Sequence, residues 1–254
     1  MLRNRVIPVL LLQNGGLVKG EKFKNHKYVG DPINAVRIFN EKEVDELSFI
    51  DISASAGLDE PNYSLIEEIA SEAFMPVAYG GGIQSVKQAE RLFRLGVEKV
   101  IINGAFFANP DLINECSQLA GSQSIVVAID VKKNLLGGYE VCVHNGVKKT
   151  GINPVDYAKN AQIYGAGEIL LTSIDREGTC RGLDLDLIRQ VADAVELPVI
   201  AQGGVGNLED IKQAVKSAGA SAVAAGSFFT FYGKHKAVLL TYPAYHELEN
   251  LFLN

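Results

Sequence analysis

The chain has 254 residues, the length of one α/β barrel, and a hydrophobic content of 47% that suffices to fill one core. Its formal charge of −6 gives no electrostatic basis for a nucleic-acid role, and no apolar run approaches the roughly 18 residues of a membrane span. Cys116, Cys142 and Cys180 share no metal-ligand spacing and fit a reducing, cytoplasmic setting; the histidines are too scattered to propose a metal, and no cofactor is expected.

Eight short apolar or β-branched runs mark strands in chain order: Val6–Leu12, Glu46–Asp51, Pro76–Tyr79, Lys99–Asn103, Ser124–Asp130, Glu168–Ser173, Pro198–Gln202 and Ala222–Gly226. The first lies in MLRNRVIPVLLLQNGG, too short an apolar run for a signal peptide and without a cleavage site. The runs show little polar alternation, as parallel strands covered on both faces do. Helical patterns separate them. Asp31-Pro32 opens one that reaches about Glu43, Asn109-Pro110 and Asn153-Pro154 open two more, Asp184 begins another, and Ser85 and Asn207 stand at N-cap positions. A last helix is expected over Ala244–Leu253.

Two stretches repeat each other: PVAYGGGIQSVKQAERLFRLGVEKVIINGAFF from Pro76, and PVIAQGGVGNLEDIKQAVKSAGASAVAAGSFF from Pro198. Gly81-Gly82 aligns with Gly203-Gly204, and, after one inserted residue, Gly96 aligns with Gly219. The expectation is one domain over residues 1–254, a (β/α)8 TIM barrel of α/β class with half-barrel internal duplication. The two connections that exceed the usual few residues are Gln13–Gly30, with Lys19, and Val131–Gly151, whose YEVCVHNGVKKTG reads as a hairpin turning at Asn145-Gly146. Both follow C-terminal strand ends, where barrel enzymes keep their active sites, and suggest a mobile lid.

The same face collects candidate chemistry. Gly81 and Gly82 with Asn103 and Gly104, and Gly203 and Gly204 with Gly226 and Ser227, form paired small-residue turns where phosphate can approach backbone N–H groups. Copies half a ring apart imply a ligand that is anionic at both ends, with Lys19 able either to meet a phosphate or to stay solvated. Asp130 ends the fifth strand as a general acid/base candidate, and Thr172, Glu177 and Gly178 follow the sixth. At the opposite end, Arg5, Glu46, Lys99 and Glu168 share inward parity at strand starts. From the residues alone, a stabilising charge plug is the favoured reading of that quartet.

Together GDPINA, DELSFIDISAS, GGGIQS, EKVIIN, GSQSIVVAIDVKK, GAGEILLTSIDREGT, PVIAQGGVGN and AAGSFF resemble the cyclase subunit family of imidazole glycerol phosphate synthase nearly end to end. The resemblance implies a half-barrel-duplicated fold and two catalytic aspartates at the barrel mouth with a bisphosphate held at both ends. It also implies a glutaminase partner on the N-terminal face, from which ammonia passes through the barrel by a gate of four charged residues. Arg5, Glu46, Lys99 and Glu168 match that gate. Asp130 matches the second aspartate, but Leu11 occupies the position of the first, and leucine can neither take nor deliver a proton. Gly104 replaces a threonine, Glu177 an aspartate and Gln202 a serine, and Thr230 falls where a histidine is usual. The pattern is similar to divergent paralogues associated with surface polysaccharides, which with a glutaminase supply ammonia to a third protein, a sugar amidotransferase that turns an acetamido group into an acetamidino group. Conduit, working cyclase (a lyase) and unrelated phosphosugar isomerase or aldolase are the readings weighed; the last lacks a Schiff-base lysine at a strand end.

Overall fold

The computed structural model describes residues 4–57, 60–134 and 137–253. The chain opens with β1 (Arg5–Gln13) and turns into a hairpin of β2 (Gly16–Glu21) and β3 (Lys24–Gly30). Helix α1 (Pro32–Glu41) leads to β4 (Leu47–Asp51), α2 (Ile52–Gly57) and α3 (Tyr63–Glu72) lead to β5 (Val77–Gly80), and α4 (Val86–Arg94) leads to β6 (Lys99–Ile102). After α5 (Gly104–Ala108) and α6 (Asp111–Ala120), β7 (Ile125–Lys133) runs into a second hairpin, β8 (Tyr139–Val143) and β9 (Lys148–Lys149). Then come α7 (Pro154–Ile163), β10 (Glu168–Ser173), α8 (Leu185–Ala192), β11 (Val199–Gln202), α9 (Leu208–Ala218) and β12 (Ala222–Ala225). The described chain ends with α10 (Ser227–Thr230), a short pair β13 (Phe231–Tyr232) and β14 (Ala237–Val238), and α11 (Tyr245–Leu253).

Strands β1, β4, β5, β6, β7, β10, β11 and β12 pair in that order, all parallel, and β12 returns to β1 to close the ring. This is a (β/α)8 barrel, and its strands fall within a residue or two of the expected runs, apart from β7, which continues past Asp130. They read clearly because both faces are buried: every residue of β5, β10, β11 and β12 is buried. Alternate residues divide between two cores. An outer one packs strands against helices, and an inner one holds Ile7, Val9, Ala78, Ile101, Val126, Ala128, Leu170, Ile200, Ala222 and Ala224. Four of those ten are alanine, so the axis carries less side-chain volume than a lining of branched residues would supply.

The expected caps are present. Asp31 accepts from Asn34 N at 2.9 Å ahead of Pro32, and Asp184 accepts from Leu187 N at 3.3 Å. Ser85 with Gln88 and Asn207 with Asp210 form capping boxes at the starts of α4 and α9, so the duplicated stretches share their helix starts. Gly96 and Gly219 both take a positive φ where those helices end. The long connection Gln13–Gly30 is not an irregular loop: Asn14 and Gly15 have φ of 52° and 80°, a two-residue hairpin turn that extends β1. That Asn-Gly pair was the available signal, and Lys19 therefore sits in a strand rather than on an open loop.

Ser85→Ala and Asn207→Ala should each lower stability by about 1 kcal/mol, because each removes a side-chain acceptor from a helix N-terminus. The two caps belong to helices on different sides of the ring, so the double variant should lose their sum in urea unfolding.

Candidate functional site

The two ends of the barrel carry different chemistry. At the N-terminal end, charged residues stand at the starts of four of the eight barrel strands, β1, β4, β6 and β10, and the structure brings all four together. Arg5 donates to Glu46 Oε2 at 2.6 Å and to Glu168 Oε1 at 2.5 Å, and Lys99 Nζ donates to Glu46 Oε2 and Glu168 Oε2 at 2.9 Å each. Cation and anion alternate around a closed circuit, with Glu46 and Glu168 buried and Arg5 and Lys99 partly open. Burial alone would lower the Arg5 pKa, but Glu168 and then Glu46 outweigh it and hold the guanidinium above its ordinary value. A ring of this kind is fully paired, so its contribution to stability is modest, whereas removing one member strands a charge.

At the C-terminal end a cavity of about 320 Å³ opens over β4 to β7 and reaches β10 and β11. Leu11, Gly81, Gly82, Asn103, Gly104, Asp130 and Thr172 all line it. Register sets Asp130, Thr172 and Gln202 side by side on β7, β10 and β11. Leu11 belongs to β1, four strands round the ring from β7, so it faces Asp130 across the mouth. Asn103 Nδ2 donates to Asp130 Oδ2 at 3.1 Å and to the Ala128 carbonyl at 3.0 Å. Desolvation pushes the Asp130 carboxyl up to about 7; the Thr172 hydrogen bond opposes that, Glu177 adds to it, and Asn103 and Lys132 oppose it. Asp130 is thus a carboxyl that exchanges its proton near neutrality.

The second small-residue set is placed differently. Gly203, Gly204, Gly226 and Ser227 are buried and do not border the cavity. Lys19 and Glu177, both buried, form an ion pair there, and a Cβ on Gly226 would lie 2.4 Å from Lys19 Nζ. Gly178, at φ 74°, packs under the first hairpin, where an added Cβ would meet Gly20 O at 2.4 Å, and Lys22 N donates to Glu177 O at 2.9 Å. The two halves of the duplication therefore present one open turn and one covered turn.

Phe23, His26, His144 and Asn145 line the cavity without having been expected there from the sequence, where Asn145 was read only as a turn residue. They come from the two hairpins, whose fold-over is set by distant contacts. Lys22 and Phe23 form the tip of the first with φ of 53° and 62°, an unusual conformation for bulky residues. An added Cβ on Gly146 would lie 3.1 Å from the Phe23 ring, so the hairpins meet over the mouth. Lys132 Nζ donates to Gly146 O at 2.6 Å, and Asn145 Nδ2 donates to Ile52 O at 3.1 Å, fastening the second hairpin to the far rim. Burial and then the nearby Lys19 lower the His26 pKa, which favours its neutral form. Cys180 has its thiol raised, first by burial, the opposite of an activated nucleophile. Among the described residues no group of three or more His, Cys, Asp or Glu could hold a metal ion, and no helix is long and apolar enough to cross a membrane.

Residues 5–236 match the family of histidine biosynthesis proteins. A relative from Leptospira interrogans, named "Putative imidazole glycerol phosphate synthase subunit HisF", is 51% identical over 253 residues, covering 99% of this chain and all of the relative. Relatives with the corresponding names hisF2, from Pseudomonas aeruginosa, and hisF3, from Vibrio vulnificus, are each 51% identical. They cover 98% and 96% of this chain and 99% and 94% of their own lengths.

An unfolded Asp130 ionises near its ordinary 3.8 and the folded one near 7, so between those values unfolding releases a proton and stability falls as pH rises. Above about 7 the loss is complete. Asp130→Asn should flatten that slope, worth on the order of a few kcal/mol, in urea unfolding compared at about pH 5 and about pH 8. Equal slopes in the two proteins would show a carboxyl that titrates normally.

Proposed function

The chain belongs to the histidine biosynthesis protein family, among the cyclase-like subunits of imidazole glycerol phosphate synthase, and from that footing we propose that it is an ammonia-conducting barrel rather than a ring-closing enzyme. A glutaminase docks on the N-terminal face and releases ammonia, which travels along the axis to an acceptor at the C-terminal mouth. The acceptor chemistry is conversion of an acetamido to an acetamidino group on a surface-polysaccharide sugar, with a sugar amidotransferase as the third protein.

The single observation that carries this reading is the contrast between the two ends. The charged circuit of Arg5, Glu46, Lys99 and Glu168 is complete, while Leu11 faces Asp130 from the position that matches the family's first aspartate. Ring closure that needs both an acid and a base loses about 10²–10⁴ in rate without one of them. Passage of a neutral molecule needs neither. Lys99 is the natural moving part. Its one ammonium bridges both carboxylates on a flexible stem, and while it swings aside Arg5 keeps both of them paired. The alanines of the inner core give ammonia, smaller than a methyl-bearing side chain, a thinly filled path.

The docking face has suitable chemistry. Phe74, between α3 and β5, is 89% exposed and Ile163, at the end of α7, is 78% exposed, and both precede strand starts at the N-terminal end, as does Glu98. At the mouth, the open turn of Gly81, Gly82, Asn103 and Gly104 is the place for one phosphate. A second reading, a working cyclase, draws on Asp130, whose raised pKa keeps one proton-transfer group in place.

Lys99→Ala or Glu46→Ala should reduce glutamine-dependent activity several-fold more than activity with added ammonium salt, measured on the complex with its glutaminase. Equal losses with both nitrogen sources would remove the gate role. Robust turnover of the histidine precursor by the wild-type chain with ammonium salt would replace the conduit reading with the cyclase.

A further inference from the structure

Gln202 is the one cavity-lining side chain whose buried polar atom is left without a partner among the described residues: its carbonyl oxygen has no hydrogen-bond donor, and the residue is only 7% exposed. It stands beside Thr172, which stands beside Asp130, so three polar side chains form one row across neighbouring strands. Asp130 is already served by Asn103 and Thr172. A buried acceptor left unpaired is costly, and one that borders a cavity is matched by whatever enters it. Water can serve while the cavity is empty, but a ligand that displaces it has to bring its own donor.

We propose that the mouth binds a small ligand that is anionic at one end only, and that its other, uncharged end donates an N–H or O–H to the Gln202 carbonyl. This rests on reading the mouth as an acceptor site rather than a ring-closing site. The anionic end takes the open turn at Gly82 and Gly104. A second anion has no comparable place. The covered turn holds Lys19, whose ammonium lies against Gly226 and is neutralised by Glu177, and both partners are buried. An anion arriving there would have to break that pair and then face the Glu177 carboxylate. Leu11, Ile50 and Leu170 present apolar surface between the two ends, which suits an uncharged body. A cavity of about 320 Å³ is at the small end of ligand sites and fits a sugar monophosphate better than an extended bisphosphate nucleotide. The structure thus assigns a specificity role to a position where the family carries a short hydroxyl side chain.

The test is calorimetric titration of the whole wild-type chain with N-acetylglucosamine 1-phosphate, fructose 1,6-bisphosphate and inorganic phosphate. The acetamido-sugar phosphate should bind at least about tenfold more tightly than the bisphosphate. Gln202→Ala should weaken the sugar phosphate by about tenfold and leave inorganic phosphate unchanged, since only the uncharged end reads this residue. Glu177→Ala, which frees Lys19, should bring bisphosphate affinity up by about tenfold. If that variant does not fold, the wild-type comparison decides alone. Bisphosphate binding as tight as the sugar phosphate, an equal effect of Gln202→Ala on the sugar phosphate and on inorganic phosphate, or no sugar-phosphate binding below about 10 mM would each overturn the proposal. Turnover of the histidine precursor would instead sink the acceptor-site reading, and that assay is independent of the titrations.

Discussion

Closure of the sheet is the constraint from which the rest follows. Once β12 pairs with β1 and β7 with β10, all eight strands run the same way around one axis. The period-two alternation of a strand then assigns each residue to the axis or to the helices, and its position along the strand assigns it to floor or mouth. Arg5 and Leu11 lie on one strand, six residues and two fates apart: one joins the charged circuit and the other faces Asp130. No local property of either residue settles this. A shift of one residue in register would turn both outward and dissolve the two ends together.

Floor and mouth differ in how they hold charge. Below, four ions neutralise one another with contacts of 2.5 to 2.9 Å. Above, Asp130 has amide and hydroxyl donors and, among the described residues, no ion-pair partner, and desolvation outweighs the opposing influences of Thr172, Asn103 and Lys132 on its proton. Lys19, on β2 of the first hairpin, is paired with Glu177. Divergence between the duplicated halves is concentrated here. Helix starts at Ser85 and Asn207 remain equivalent, while the glycine turns they follow have become one open surface and one interior.

Much of this was legible in the sequence, and what was not has a common cause. The strands, the capping residues and the inward charged quartet follow from local rules: two-sided burial, side-chain competition for orphan N–H groups, and parity. The Asn14-Gly15 turn was legible too, but a hairpin at a place where barrels usually carry a loop does not announce itself. Which way the two hairpins lean is decided by Lys22 meeting Glu177 and by Asn145 meeting Ile52, contacts between segments far apart in the chain. So the partnership of Lys19 with Glu177, the covered second turn, and the arrival of His26 and His144 in the cavity that Asp130 lines could be seen only in three dimensions. The resemblance supplied the reading of the floor, which residue types alone would have left as a structural plug.

The meeting of Phe23 with Gly146 has one more consequence. The two hairpins are rooted in different halves of the ring and touch at their tips, so displacing one tip presses on the other. In the conduit proposed above, such a shared roof would tie the entry of an acceptor from the top to both halves of the ring at once.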